Sequence, residues 1–187
     1  MTTWVLPGEP RPVRLMNTIW ADRVGVHEEL SSVDALRAWL SDVGLPVAAT
    51  RTADLTRAVS LRDALRRLAA VATADGRPGA ATGLTTEQAL MTVNDALRQA
   101  PRPRLHLAGE ALSYAPPAEV ASTQSALAII AVEAAELLTT PAAPLRACLA
   151  PGCVLYYLQD HPRRAWCSLA CGNRARAARH YARHRTG

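Results

Sequence analysis

Lysine and phenylalanine are both absent from the 187-residue chain, so all 21 basic side chains are arginine. With heavy use of alanine and proline, that absence reads as coding bias rather than a functional choice of arginine. Cysteine is scarce, and four residues are too few for a disulfide scaffold. No apolar run approaches the roughly 18 residues of a membrane span. The most apolar stretch, Ala126–Val132, is followed by Glu133 and Glu136. The opening MTTWVLPGEPRP lacks a basic segment leading into an apolar one. No secretory leader is therefore expected, and the expected compartment is the cytoplasm, where thiols stay reduced.

What is present is 49% hydrophobic and 20% charged, the proportions of a globular protein. The length fits one or two domains. The net charge of +5 conceals a split. Residues 1–145 carry thirteen arginines against fifteen acids, whereas residues 146–187 carry eight arginines against the single acid Asp160. A near-neutral body thus precedes a short basic module, a polarity that suits binding to a polyanion or simply a solvated tail.

Periodicity predicts a mainly α (α+β) body of several helices. Residues 4–22 suit a strand running into a short helix. Ser31 is expected to cap a helix carrying Leu36, Trp39, Leu40 and Val43, which Gly44 and Pro46 end. A long helix spans roughly Ala53–Ala74, with Ala58, Leu61, Leu65, Leu68 and Ala72 on one stripe. Thr85 and Gln88 form a capping-box pattern for the next helix, closed by Pro101 and Pro103. Alternation around Ala108-Gly109-Glu110 predicts a β-hairpin over 104–115, with His106 assigned to the core. A last body helix is expected over 118–139. The proline-bearing segment 139–144 is a stiff connector at the charge break. It predicts two domains, 1–140 and 145–187, with separate cores, so that losing a metal ligand would leave the body helices intact.

All four cysteines fall in the basic module, as C-x4-C, thirteen residues, then C-x3-C: Cys148, Cys153, Cys167 and Cys171. Two close pairs across a short loop are how a tetrahedral zinc site is assembled. Zinc suits four sulfurs and supplies folding energy that some 40 residues cannot draw from a small core. The alternatives are free thiols, two disulfides, His161 as a ligand, or an iron–sulfur cluster. An all-cysteine zinc site is normally closed to water, which argues against a catalytic metal. Val154–Leu158 is expected to pair with a returning strand at 164–166, its tyrosines Tyr156 and Tyr157 on opposite faces. Ser168 would cap a terminal helix from Leu169 to His184. The result is a treble-clef-like or ribbon-like finger ending in a basic helix.

At helical spacing, Cys171, Ala175, Ala178 and Ala182 form a small-residue stripe that can lie against the zinc hairpin. Asn173, Arg176, His180, Arg183 and His184 face away, flanked by Arg174 and Arg179. Such a helix has the size and charge to enter the major groove of double-stranded DNA. Arg163 and Arg164 in the loop add backbone contacts. Single-stranded RNA would call for exposed aromatics, and only Tyr156, Tyr157, Trp166 and Tyr181 are available.

Trp166-Cys167-Ser168 followed by Cys171-Gly172-Asn173-Arg174 resembles the signature of the CGNR zinc-finger family. Cys148, Cys153, the Tyr156-Tyr157 pair, Asp160 and the basic helix fit the same pattern. The body is similar to the ABATE domain that usually precedes that finger, through Arg14–Arg23, Leu30–Leu45 and Leu61–Leu68. Asn17-Thr18, Trp39-Leu40 and Leu61-Arg62 carry most of that likeness. The resemblance implies a bacterial, stress-linked transcription regulator with a sensor-like body and a zinc finger that binds DNA. The three-residue gap between Cys167 and Cys171 is shorter than the family pattern, which tightens the start of the helix.

No nucleophile elbow, P-loop or GxGxxG occurs, and no enzyme activity is expected. His27-Glu28-Glu29-Leu30 lacks the second histidine of a metalloprotease motif and is read as a surface loop. Asn17 and Thr18 are either a buried polar pair or part of a ligand pocket. Three readings result. The first is a DNA-binding regulator whose body senses a small-molecule or protein effector, with a homodimer possible. The second is a zinc-stabilised RNA-binding or protein-interaction module. The third is an enzyme with an unrecognised site.

Overall fold

A computed structural model describes residues 5–22, 24–77, 82–115, 122–140 and 144–184. The chain opens with α1 (Arg11–Met16), then the hairpin strands β1 (Ile19–Ala21) and β2 (Val26–Glu28). The expected order of strand then helix is reversed, because the prolines at 10 and 12 fix φ where a helix begins. His27 and Glu28 lie in β2 rather than in a loop. Helix α2 (Val33–Asp42) is capped by Ser32, not Ser31: the Ser32 hydroxyl accepts from the Ala35 amide. Helix α3 (Thr52–Ala72) runs through the centre of the body and packs against α1, α2, α4 (Thr86–Leu97) and α5 (Thr123–Thr139). The Thr85–Gln88 capping box of α4 forms as expected. The expected start of α5 at Ala118 lies outside the described residues; Ser122 is its N-cap.

Leu36, Trp39 and Leu40 of α2, Leu61 and Leu65 of α3, Val93 of α4 and Ile130 of α5 form the body core with Val13 and Leu15 of α1. Strands β3 (Arg104–Ala108) and β4 (Ala111–Ala115) pair antiparallel as the expected hairpin. Its side chains do not join that core, and His106 is exposed instead of buried.

The finger begins with β5 (Leu145–Ala147), antiparallel to β6 (Tyr156–Leu158). Residues 164–166 do not form the returning strand; β6 takes the segment before the first cysteine as its partner. Helix α6 (Leu169–His184) completes the chain, and no helix of the described residues is long and apolar enough to cross a membrane.

The expected separation into two cores does not hold. Leu145 and Tyr156 belong to the body core, whereas Tyr157, one residue later, belongs to the finger core with the four cysteines. Alternation along a strand sends successive side chains to opposite faces, so β6 is shared by both cores. Its edge away from β5 is satisfied by side chains of the N-terminal segment. Asn17 Nδ2 donates to the Tyr156 carbonyl at 2.8 Å, and Asn17 Oδ1 accepts from the Tyr156 amide at 3.0 Å. Glu9 accepts from the Leu158 amide at 2.8 Å. These two side chains stand in for a missing third strand.

Candidate metal centre and basic helix

Each cysteine pair is placed by a local device. Between Cys148 and Cys153, Pro151 and Gly152 occupy the corners of a turn closed by the Cys153 amide donating to the Ala150 carbonyl at 2.9 Å. Gly152 has φ +72°, which a type II turn requires at that corner and which glycine adopts without strain. The second pair brackets the start of α6. The Ser168 hydroxyl accepts from the Cys171 amide at 3.2 Å, capping the helix at its first turn. A Cβ on Gly172 would sit 3.1 Å from the Trp166 ring, so the glycine lets that indole close over the helix start.

The four buried sulfurs lie within 4.8 Å of one another. Cys153 Sγ is 3.9 Å from Cys167 Sγ, which is 3.4 Å from Cys171 Sγ. Tetrahedral zinc–thiolate bonds of about 2.3 Å place sulfurs roughly 3.8 Å apart, so the donor set fits one zinc ion. The Cys167 amide donates to Cys148 Sγ at 3.5 Å, and Arg174 Nη2 to Cys171 Sγ at 3.2 Å. Donation from the neighbouring Cys153 and Cys167 thiols lowers the Cys148 pKa to about 2. The same contact with Cys148 pushes Cys153 up to about 12, and Cys148, Cys153 and burial push Cys167 up. Crowding thus sets Cys148 apart as the thiolate from Cys153 and Cys167; a divalent cation at the centre of the four sulfurs would stabilise thiolate ligands.

The body grips this cluster through residues the sequence reading passed over. Arg77 Nη1 donates to the carbonyls of Cys148 and Cys153 at 2.8 and 2.9 Å. Arg77 is itself held by Asp75 at 2.6 Å, and the fully buried Asp75 carboxylate also accepts from the Tyr156 hydroxyl at 2.9 Å. Burial raises the Asp75 carboxyl, but the hydrogen bonds from Arg77 and Tyr156 outweigh it and hold it below the usual range. Arg66 donates to the Val154 carbonyl at 3.0 Å, and the Arg66 and Arg77 guanidiniums stand 5.4 and 5.2 Å from the Tyr156 ring centroid. Asp75 and Arg77 are visible in the sequence only as part of the stop signal after α3.

The remaining sequence-derived site residues divide in two. Asn17 and Thr18 are buried, with Asn17 bonded to Tyr156 and the Thr18 hydroxyl donating to the Leu15 carbonyl at 2.8 Å. Their polar atoms face internal partners, not a cavity. Arg164 is also turned inward, bonded to Glu9 at 2.8 Å and to the Leu158 carbonyl at 3.0 Å, 5.0 Å from the Tyr157 ring centroid. Arg174 is half-buried beside Cys171. Arg163, Asn173, Arg176, Arg179, His180 and Arg183 are exposed. The small-residue stripe is only partly used: Cys171 and Ala175 are buried, Ala178 is half-buried and Ala182 is exposed. The C-terminal half of α6 therefore extends beyond the finger core, with Arg176, Ala177, Arg179, His180 and Arg183 around a shallow concavity. Among the described residues, Arg174, Arg176 and Arg179 form no ion pair with a carboxylate.

Where body and finger meet, the C-terminal ends of α3 and α5 leave a cleft of about 570 Å³. Its lining includes Thr73, Asp75, Leu137, Leu138, Leu145 and Leu149. Leu149 lies between the first two cysteines, and Asp75 holds Arg77.

Comparison with known families gives two matches. Residues 9–141 match the ABATE family, described as "putative stress-induced transcription regulator", and residues 145–184 match the CGNR zinc finger. Neither is an enzyme family. A search of curated proteins finds no match. The chain belongs to the ABATE family of regulators and ends in a CGNR zinc finger.

Proposed function

We propose that this regulator binds double-stranded DNA through α6 and that its body senses an effector at the joint with the finger. The observation that carries the first part is the surface of α6. Arg176, Arg179, His180 and Arg183 project from the half of the helix that no core covers, next to exposed Asn173 and Arg163. A cationic helix of this length suits phosphates and guanine edges in a major groove. The zinc site supplies rigidity: with four cysteine ligands it is closed to water and fixes where the helix starts. Arg164 belongs to the grip on the body rather than to the DNA contact.

A salt titration of binding to a random-sequence duplex, read by fluorescence anisotropy, tests this. Affinity is expected to fall steeply as salt rises. The Arg176→Ala, Arg179→Ala double variant is expected to bind less tightly and to reduce the salt slope by about 2, with zinc content unchanged. A salt-independent signal, or full affinity in the double variant, would overturn the reading. Preference for single strands at equal salt would favour an RNA-binding module instead.

The sensing part is supported by the cleft, whose volume lies in the range of about 300–1,000 Å³ usual for small-molecule sites, which favour domain joints. An occupant there would touch Leu149 of the knuckle and the backbone at Asp75, and so bear on the finger. A thermal-shift screen of small apolar compounds is expected to give hits that Leu138→Trp, which fills the cleft, abolishes. Hits that persist in that variant would place sensing elsewhere.

A further inference from the structure

Arg174 follows Cys171 by one helical turn in α6, a spacing that puts both on one face and leans the longer side chain back over the cysteine. Its Nη2 donates to Cys171 Sγ at 3.2 Å. The neighbouring Nε is buried and has no partner among the described residues. In a guanidinium, the Nε–H and the outer Nη2–H point the same way from one edge. The edge that meets Cys171 thus carries one engaged donor and one unengaged donor. No carboxylate of the described residues pairs with this arginine. A half-buried cation with an unsatisfied buried donor is unfavourable unless an anion faces it.

We infer that Arg174 is a positioning residue of the metal centre: its Nε–Nη2 edge neutralises the Cys171 thiolate and holds that ligand on the ion, instead of reaching out to a polyanion. Charge supports this. A zinc ion with four thiolates is a dianion, and all four cysteines are buried. The other three sulfurs have local partners. The amides of Cys167 and Ala150 donate to Cys148, and the Leu155 amide donates to Cys153. The Ser168 hydroxyl lies 3.9 Å from Cys167 Sγ. Cys171 is set within the first turn of α6, where the next amide enters the helix's own ladder: Gly172 donates to the Ser168 carbonyl at 3.1 Å. The donor that reaches its sulfur is the Arg174 cation. A charge-assisted hydrogen bond draws electron density from sulfur. Cys171 is thereby a weaker nucleophile than a thiolate without that bond, and less open to alkylation while the ion is bound. The basic residues of α6 thus divide. Arg174 serves the ion, while Arg176, Arg179, His180 and Arg183 keep the exposed side. The inference does not rest on DNA binding, and its test contains no DNA, so the two can fail separately.

The test compares the full chain with Arg174→Gln and Arg174→Lys, each loaded with zinc or with cobalt(II) as a spectroscopic probe. Arg174→Gln is expected to hold zinc about 10–100-fold more weakly in competition with a chelator, the usual effect of removing a partner of a metal ligand. In the cobalt form, its thiolate-to-metal charge-transfer band is expected to move to lower energy, because a sulfur that loses a hydrogen bond gives up an electron more readily. Iodoacetamide is expected to alkylate the zinc-loaded variant faster than wild type, with mass spectrometry finding the label at Cys171 ahead of the other three cysteines. Arg174→Lys keeps the charge but not the fork, and is expected to recover zinc affinity and band position in part. A wild-type zinc affinity and cobalt spectrum in Arg174→Gln overturn the inference. So does a loss of affinity with an unmoved charge-transfer band and label spread evenly over the four cysteines, the pattern that lost packing alone would give. If Arg174→Gln fails to take up metal, the lysine variant decides: a band at lower energy than wild type supports the inference, and an unshifted band overturns it.

Discussion

Arg77 is the residue on which body and zinc knuckle depend together. Its guanidinium bridges the Asp75 carboxylate and the carbonyls of Cys148 and Cys153, the first two ligands. Removing it leaves a buried carboxylate without its cation and two carbonyls without a donor. Breaking a buried pair from one side costs about 3–5 kcal/mol, because the remaining charge stays desolvated. Arg77→Met, which keeps the length of the chain but not the charge, is expected to lose that much stability. It is also expected to release zinc faster to a competing chelator, since the knuckle loses its outside support. Denaturant unfolding and the chelator-competition rate measure the two effects. A wild-type rate of zinc loss would show that the knuckle turn, closed by the Cys153–Ala150 hydrogen bond, holds its shape alone.

Elements differ in how much of their setting is local, and that decides what could be read from the sequence. The Thr85–Gln88 box, the Ser168 cap, the hairpin turn at Gly109 and each of the two cysteine pairs are settled within a few residues, and all are present. Strand β6 occupies only the last three residues of the expected Val154–Leu158 strand, and its partner differs from the expected one. Pairing is non-local, and residues 164–166 and 145–147 are both short and suitably placed to flank it. The opposite faces of Tyr156 and Tyr157 follow from alternation alone, but alternation does not say that one face belongs to the body. Asn17 shows the same limit. Its polar character in an apolar setting was visible, yet its partner is 139 residues away. The apolar alternation of β3 and β4 announces the hairpin, but the core place expected for His106 is not taken. A pattern that usually means burial against the same chain here faces outward, because nothing in the sequence says which surface covers it. In α6 the stripe of small residues was legible, but not that the core ends at Ala175 and leaves Ala182 exposed.

At the scale of the whole molecule, the connector over 139–144 joins two units whose interiors interlock. The finger contributes Tyr156 and Leu145 to the body core, and the body contributes Arg66, Arg77, Asn17 and Glu9 to the finger's backbone. Zinc removal therefore acts on both. Without the metal, the knuckle has no cross-link to the start of α6, and the segment that carries Tyr156 loses its anchor on one side. If that tyrosine leaves, the body core loses a large aromatic side chain, a change of about 3–5 kcal/mol by analogy with truncating one. Asp75 would lose a donor as well. For a chain of this size each kcal/mol moves the melting midpoint by about 2–4 °C, so stripping zinc is expected to lower the body's melting temperature by about 10 °C. Cys167→Ser is expected to act in the same direction. Far-ultraviolet circular dichroism melts with and without chelator make the comparison, since the helices that dominate the signal lie in the body. A body transition unmoved by zinc removal would mean that Tyr156 stays seated without the knuckle, and that the two cores share a strand but not their stability.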